Sequence, residues 1–174
     1  SLVGSEMCIR DRYYVPQRAA AGLDPWATPQ AYDNAKDFFD TGITWSNSLN
    51  VAQMLDKSSY SISLGNTHQD GIISSTGMDR YNVKVSADTK LTNNWSSGFT
   101  ANYITTSIDK AVTSGNGLLR TVYAAPPSYD LAGIPSHVDG NPYTQNSFRG
   151  SFDNAYWAMD NNKFTEDTNR FFGN

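Results

Sequence analysis

The chain is poor in cysteine, in charged residues and in long apolar runs. Its 174 residues include one cysteine, Cys8, so the sequence cannot hold an internal disulfide framework. Charged residues make up 17% of the chain, below the roughly 25% of a typical soluble protein. The formal net charge of -4 provides no basic surface for nucleic acid. No run reaches about 18 apolar residues, so no transmembrane helix is expected.

The first twelve residues follow neither a helical nor a strand period, and they lack the apolar core of a signal peptide. They resemble the read-through translation of a transposase-type sequencing adapter. We therefore expect residues 1–12 to be a disordered artefact and the native chain to begin near Tyr13; a disordered natural N-terminus is the alternative. Without Cys8 the native part has no thiol, which suits an envelope protein stabilised by strand pairing.

Residues 41–106 alternate apolar or aromatic side chains with small polar ones. In the clearest run, Tyr81, Val83 and Val85 share one face, and the opposite face carries charged residues at Lys84, Asp88 and Lys90. A period of two predicts β-strands with one apolar and one polar face. The strands are expected at about 43–53, 59–68, 81–91 and 95–105.

The connections between these strands alternate in predicted length. Residues 54–58 and 92–94 are tight turns, whereas 69–80 and 106–170 are long loops. A short helix is expected at 28–39, because Thr28 and Pro29 match an N-cap followed by proline. One or two helical turns are also expected at 115–125, and Phe171 and Phe172 look like the start of a further strand.

These features favour a membrane barrel over a soluble β-sandwich. Short and long connections alternate as in outer-membrane barrels, and the polar faces carry few charges. Aromatic residues stand at the predicted strand ends, where interfacial girdles form in a barrel. The girdle candidates are Tyr60, Tyr81, Trp95 and Tyr103.

Several blocks, in order, resemble the SusC/RagA-type TonB-linked outer-membrane transporters of Bacteroidetes. They begin with Asp-Phe-Phe-Asp-Thr-Gly at 37–42 and end with Asn-Arg-Phe-Phe-Gly-Asn at 169–174. The blocks between them lie at 47–51, 59–64, 69–72, 79–83, 90–93, 125–131 and 154–162. The resemblance extends from about residue 32 to residue 174.

The resemblance implies an all-β fold: an antiparallel up-and-down meander forming an incomplete section of a large transmembrane β-barrel of about 22 strands. The loops 69–80 and 106–170 would then be extracellular. It also implies location in the bacterial outer membrane, contact with its lipid, and import of oligosaccharides or peptides. The implied partners are a SusD-like surface lipoprotein acting as a lid and the TonB complex, which would act through regions outside residues 13–174.

The residues give little sign of catalysis or metal binding. His68 and Asp70 are two candidate ligands without a third, and residues 160–167 lack the spacing of a calcium loop. We therefore expect no enzyme activity, no cofactor and no metal. Four loop aromatics could contact ligand or lid, or could equally anchor the long loop onto itself: Tyr129, Tyr143, Tyr156 and Trp157. The alternative to the importer is a secreted β-sandwich module that binds glycan.

Overall fold

The computed structural model describes residues 11–111 and 117–174. The chain divides into two compact units. We call residues 41–110 with 164–174 the sheet unit, and residues 1–40 with 111–163 the loop unit. Of the segment predicted to be an artefact, residues 1–10 lie outside the described residues. Its last residue, Arg12, forms an ion pair with Asp24 at 2.5 Å.

The described part of the chain is mostly antiparallel β-sheet with few helices, which confirms the predicted all-β character. In chain order the elements are β1 (Tyr13–Tyr14), α1 (Pro16–Ala20), β2 (Trp26–Ala27), α2 (Asn34–Phe38), β3 (Thr44–Met54), β4 (Ser58–Asp70), β5 (Gly77–Thr92), β6 (Trp95–Lys110), α3 (Leu118–Ala124), β7 (His137–Val138), β8 (Asn141–Gln145), α4 (Ala155–Asn161) and β9 (Phe164–Gly173).

The sheet unit is a five-stranded antiparallel meander in the order β3-β4-β5-β6-β9. Its register matches apolar positions from strand to strand: Leu49 lies opposite Leu64, Leu64 opposite Val83, and Val83 opposite Tyr103. Because a slip of one residue would move every apolar side chain to the other face, the alternation that predicts each strand also specifies this register. β3 and β9 are the edges of the sheet.

The prediction of a long polar loop at 69–80 is wrong. β4 continues to Asp70 and β5 begins at Gly77, which leaves only a short turn between them. The polar side chains in this region pair across the strands, with His68 Nδ1 2.7 Å from Asp79 Oδ1. Residues that are polar on both faces look like a loop in sequence, but neighbouring strands still provide partners for their backbone groups.

The prediction of an irregular loop at 106–170 is also wrong, because the connection is shorter and contains regular secondary structure. β6 continues to Lys110 and β9 begins at Phe164. The connecting segment contains α3, α4 and the β7–β8 hairpin, and α3 confirms the helical turns expected at 115–125. Phe171 belongs to a strand, as predicted, but that strand starts seven residues earlier because backbone pairing with β6 supports a run without alternation.

Two smaller predictions need correction. The helix expected at 28–39 is confined to Asn34–Phe38, and its N-cap is Asp33, whose carboxylate accepts from the Lys36 amide at 3.2 Å. The turn expected at 92–94 is a two-residue connection, because β5 includes Thr92.

Buried asparagines hold the loop unit together alongside an apolar core. The core includes Leu118, Val122, Leu131, Ile134, Phe152 and Ala155. Asn146 Nδ2 donates to the Gln17 carbonyl at 2.8 Å, and Asn154 Nδ2 donates to the Asn146 carbonyl at 2.7 Å. These amides satisfy carbonyl groups that regular secondary structure leaves unpaired, so a loop-rich segment can pack without orphaned polar groups.

Candidate functional site: the apolar face of the sheet

One face of the sheet unit carries apolar rows that cross the strands. The most complete row, from β3 to β9, is Leu49, Leu64, Val83, Tyr103 and Phe171. The two rows beside it are Val51, Ile62, Val85 and Ala101, and then Gln53, Tyr60, Ala87 and Phe99. The period of two places all of these side chains on the same face, as the sequence predicts for β3 to β6.

These apolar side chains are exposed. Leu49 is 57% exposed, Val51 58%, Ile62 47% and Phe171 75%. In a β-sandwich a second sheet would cover such a face at about 10 Å. The described residues place no such sheet over it, so the apolar rows form one unpartnered surface.

The opposite face is lined mainly by small polar side chains. Its central rows are Ser48, Gly65, Asn82 and Ile104; Asn50, Ser63, Lys84, Asn102 and Phe172; and Ala52, Ser61, Ser86 and Thr100. The predicted placement of Lys84, Asp88 and Lys90 on this face agrees with the register. Four further charges were missed because their positions were assigned to loops: Arg80, Lys110, Glu166 and Arg170.

The four predicted girdle aromatics all lie on the apolar face. Tyr60 is 42% exposed and Trp95 72%, and both lie near the end of the sheet formed by the β3–β4 and β5–β6 turns. Tyr81 and Tyr103 are 51% and 44% exposed.

The predicted position of Tyr81 and Tyr103 beside long loops is wrong, because β5 and β6 extend past them. Tyr81 instead marks a chemical boundary inside the sheet, since its cross-strand partners are Asn66 and Thr105. Apolar rows lie on one side of this boundary. On the other side the same face carries the charged and titratable residues His68, Asp70, Asp79, Asp109 and Asp167.

Both edges of the sheet are open. β3 pairs with β4 alone and β9 with β6 alone among the described strands. β3 has 11 residues and β9 has 10. Free edges of this length are templates for pairing with a further strand.

Tyr129 is buried, so of its two predicted roles the anchoring alternative describes it better than contact with ligand or lid. It is only 8% exposed, and its ring centroid lies 5.7 Å from that of Phe148. Burial raises the pKa of Tyr129 to about 12, with the Asp130 carboxylate adding to the increase. Among the described residues its hydroxyl has no hydrogen-bond partner.

The other three loop aromatics differ in exposure. Tyr143 is 85% exposed and available to a partner. Tyr156 packs edge-on against Phe38 with ring centroids 5.2 Å apart, and burial raises its pKa. Trp157 Nε1 donates to the Pro142 carbonyl at 3.0 Å. The anchoring alternative therefore describes Tyr156 and Trp157 better than ligand contact does.

The described residues do not assemble a metal centre: no group of three or more His, Cys, Asp or Glu side chains could hold an ion there. His68 directs its two ring nitrogens at different carboxylates, so Asp70 and Asp79 do not converge with it on one point. Nor does any helix in residues 11–111 or 117–174 have the length and apolarity to cross a membrane.

In comparisons with known proteins, no family model matches the chain and no curated protein matches it at significant similarity.

Proposed function

We propose that the sheet unit is a section of the wall of an outer-membrane β-barrel, with its apolar face on lipid and its polar face toward the barrel interior. The observation that carries this proposal is an exposed apolar face on an antiparallel meander whose two edges are open. A barrel wall needs both features, because the edges pair with further strands and lipid covers the outer face.

The size of the exposed face supports a lipid environment. About ten apolar side chains, each close to half exposed, leave on the order of 700 Å² in contact with solvent, more than the few hundred Å² usual for a soluble monomer. At about 25 cal/mol per Å², transfer of this area from water is worth on the order of 15–20 kcal/mol. The unit therefore has a strong drive to enter lipid or bind an apolar partner.

Strand length also fits a membrane crossing. A transmembrane β-strand needs about 9–11 residues, and the apolar rows with their girdle aromatics occupy residues 58–66, 81–92 and 95–105. We take these as the spanning segments. The strands continue past them at the end that carries Asp79, so this end would project beyond the membrane.

The polar face suits an enclosed interior. Its side chains are mostly Ser, Thr, Asn and Gly, with charges such as Lys84 and Asp88 spaced apart. In a barrel such a face would meet water or a plug domain.

We further propose that the whole protein is a TonB-dependent importer of oligosaccharides or peptides of the SusC/RagA type. This step rests on the ordered sequence blocks. The chain enters and leaves the sheet for the loop unit at the Asp79 end, so the loop unit would belong to the outer side. There it could meet the SusD-like lid, and the exposed ring of Tyr143 is its best contact residue.

The alternative, a secreted β-sandwich that binds glycan, requires a second sheet over the apolar face. Val83 is 39% exposed, Tyr103 44% and Phe99 53%. Exposure at these positions favours the barrel wall over the sandwich.

The test is to recover the full reading frame with its neighbouring genes and to delete it in its native host. The importer predicts a plug domain upstream, an adjacent lipoprotein gene, and loss of growth on one class of oligosaccharide or peptide. Restoring the gene should restore growth. A glycoside-hydrolase domain upstream, or unchanged growth on every such substrate, would refute the importer.

A further inference from the structure

His68 lies between two carboxylates that come from different strands. Its Nδ1 is 2.7 Å from Asp79 Oδ1 on β5, and its Nε2 is 3.2 Å from Asp70 Oδ1 on its own strand β4. Asp70 and Gly77 are the last residues paired before the turn between β4 and β5. The imidazole thus connects the two strands where the hairpin closes.

The turn and the neighbouring strand depend on the same position. The Gly71 amide donates to the Thr76 carbonyl at 2.8 Å and closes the turn. The Asp70 amide donates to the Ile43 carbonyl at 2.8 Å and connects the turn to the start of β3. If the contacts of His68 with Asp70 and Asp79 weaken, the hydrogen bonds of these two amides should therefore weaken as well.

The charged side chains that share a face of the sheet with His68 are all acidic. On its face, β3 contributes Trp45, β5 contributes Asp79, and β6 contributes Ser107 followed by Asp109. Asp70 shares its strand, and Asp167 on β9 completes the row. The turn residues at 71–76 carry no titratable side chain. Arg80 and Lys110 occupy alternate positions on the opposite face, and Lys110 pairs with Glu166 there.

His68 is consequently the one described group at this end of the face that can become a cation. The hydrogen bond to Asp79 raises the pKa of His68, and the charge of Asp79, together with the charge and hydrogen bond of Asp70, adds to the increase. When both ring nitrogens are protonated, each donates to one carboxylate. Neutral imidazole can donate to only one of them.

We propose that His68, Asp70 and Asp79 form a proton-dependent clamp that orders the β4–β5 turn. Protonated, the clamp holds both carboxylates and the turn closed. Deprotonated, it releases one carboxylate into a cluster that then has no cation, and the turn opens more often. This proposal does not depend on whether the sheet unit lies in a membrane.

The direction of the effect follows from linkage. Because the pKa of His68 is higher in the folded state than in the unfolded chain, its stabilisation is fully present below the unfolded value of about 6.5 and is lost as the pH rises through the folded value. The turn should therefore be best ordered in mildly acidic solution and less ordered in mildly alkaline solution.

The experiment is amide hydrogen exchange of the full-length protein in detergent micelles, between about pH 5.5 and pH 9, with rates divided by the intrinsic rate at each pH. Protection of the Gly71 and Asp70 amides should fall about threefold across this range, which is the scale of an exposed ion pair. In H68Q, protection should be low and independent of pH. In H68K, whose charge persists, it should stay high.

The matched control is H137Q, which removes the other histidine and should retain the wild-type pH response. The ring resonance of His68 should titrate at lower pH in D79N than in wild type. Wild type and H68Q with the same pH profile would overturn the proposal, as would an H68K variant whose protection still falls with pH.

Discussion

Replacing Asn34 with alanine removes the amide that joins two distant segments of the loop unit. Asn34 is 6% exposed. Its Nδ2 donates to the Tyr129 carbonyl at 2.9 Å and to the Pro126 carbonyl at 3.3 Å, and its Oδ1 accepts from the Leu131 amide at 3.1 Å. Alanine leaves these three backbone groups without their partner.

The cost can be estimated from the groups left behind. A buried donor or acceptor that loses its partner costs about 1–3 kcal/mol. Leu131 is 1% exposed, so water cannot readily replace the lost acceptor at its amide. The long Pro126 bond contributes least. We expect about 3 kcal/mol in total, which is about a 100-fold change in the opening equilibrium of the loop unit.

Amide exchange reports this change at sites that do not bond to Asn34. The Ala158 amide donates to the Asn154 carbonyl at 2.9 Å and the Asn146 amide to the Ser136 carbonyl at 2.7 Å. Because the variant loses about 3 kcal/mol, both amides should exchange about 100-fold faster in Asn34→Ala than in wild type. The exposed Asn50→Ala variant, matched in chemistry, should leave both rates unchanged. A change below about threefold at both amides would refute the idea that buried asparagines stabilise this unit.

Three further predictions test other contacts. In Gly65→Ala, the new Cβ would lie 2.1 Å from Asn82 Oδ1. Because that atom is the end of a flexible side chain, the Asn82 amide should turn away, and thermal unfolding should show a stability change of less than about 1 kcal/mol; a loss above about 2 kcal/mol would contradict this. Tyr129→Phe should leave stability at pH 7 unchanged or higher, because the hydroxyl is buried without a partner. It should also reduce the wild-type loss of stability as the pH rises from about 10 to about 12, the unfolded and folded pKa values of Tyr129. Val51→Lys in the full-length protein should weaken folding into lipid vesicles by about 2–4 kcal/mol, whereas Asn50→Lys on the other face should have a much smaller effect; equal effects would contradict the assignment of faces.

The strands of the sheet could be predicted where one face is apolar. Alternation identified the faces that carry Val83 and Lys84, and it located the strands to within a few residues wherever the apolar rows are present. It failed beyond Tyr81, where both faces are polar and residues such as Asp79 look like a loop. Strand structure there depends on pairing with neighbours, which no local period reports.

Features of the loop unit were harder to predict for a related reason. The burial of Tyr129 depends on Phe148, and the bonds of Asn34 reach residues about a hundred positions away. The His68–Asp79 pair was missed because it crosses two strands whose ends were not recognised. Composition and spacing contain no record of such contacts between distant residues.

The most direct test of the barrel-wall proposal compares adjacent residues of one strand in lipid. Val85→Cys and Ser86→Cys variants, each in a cysteine-free background of the full-length protein, would carry an NBD fluorophore in vesicles containing nitroxide-labelled phospholipid. The register puts these residues on opposite faces of β5. Strong quenching at position 85 and little at position 86 is the predicted result; equal quenching, or stronger quenching at position 86, would contradict it.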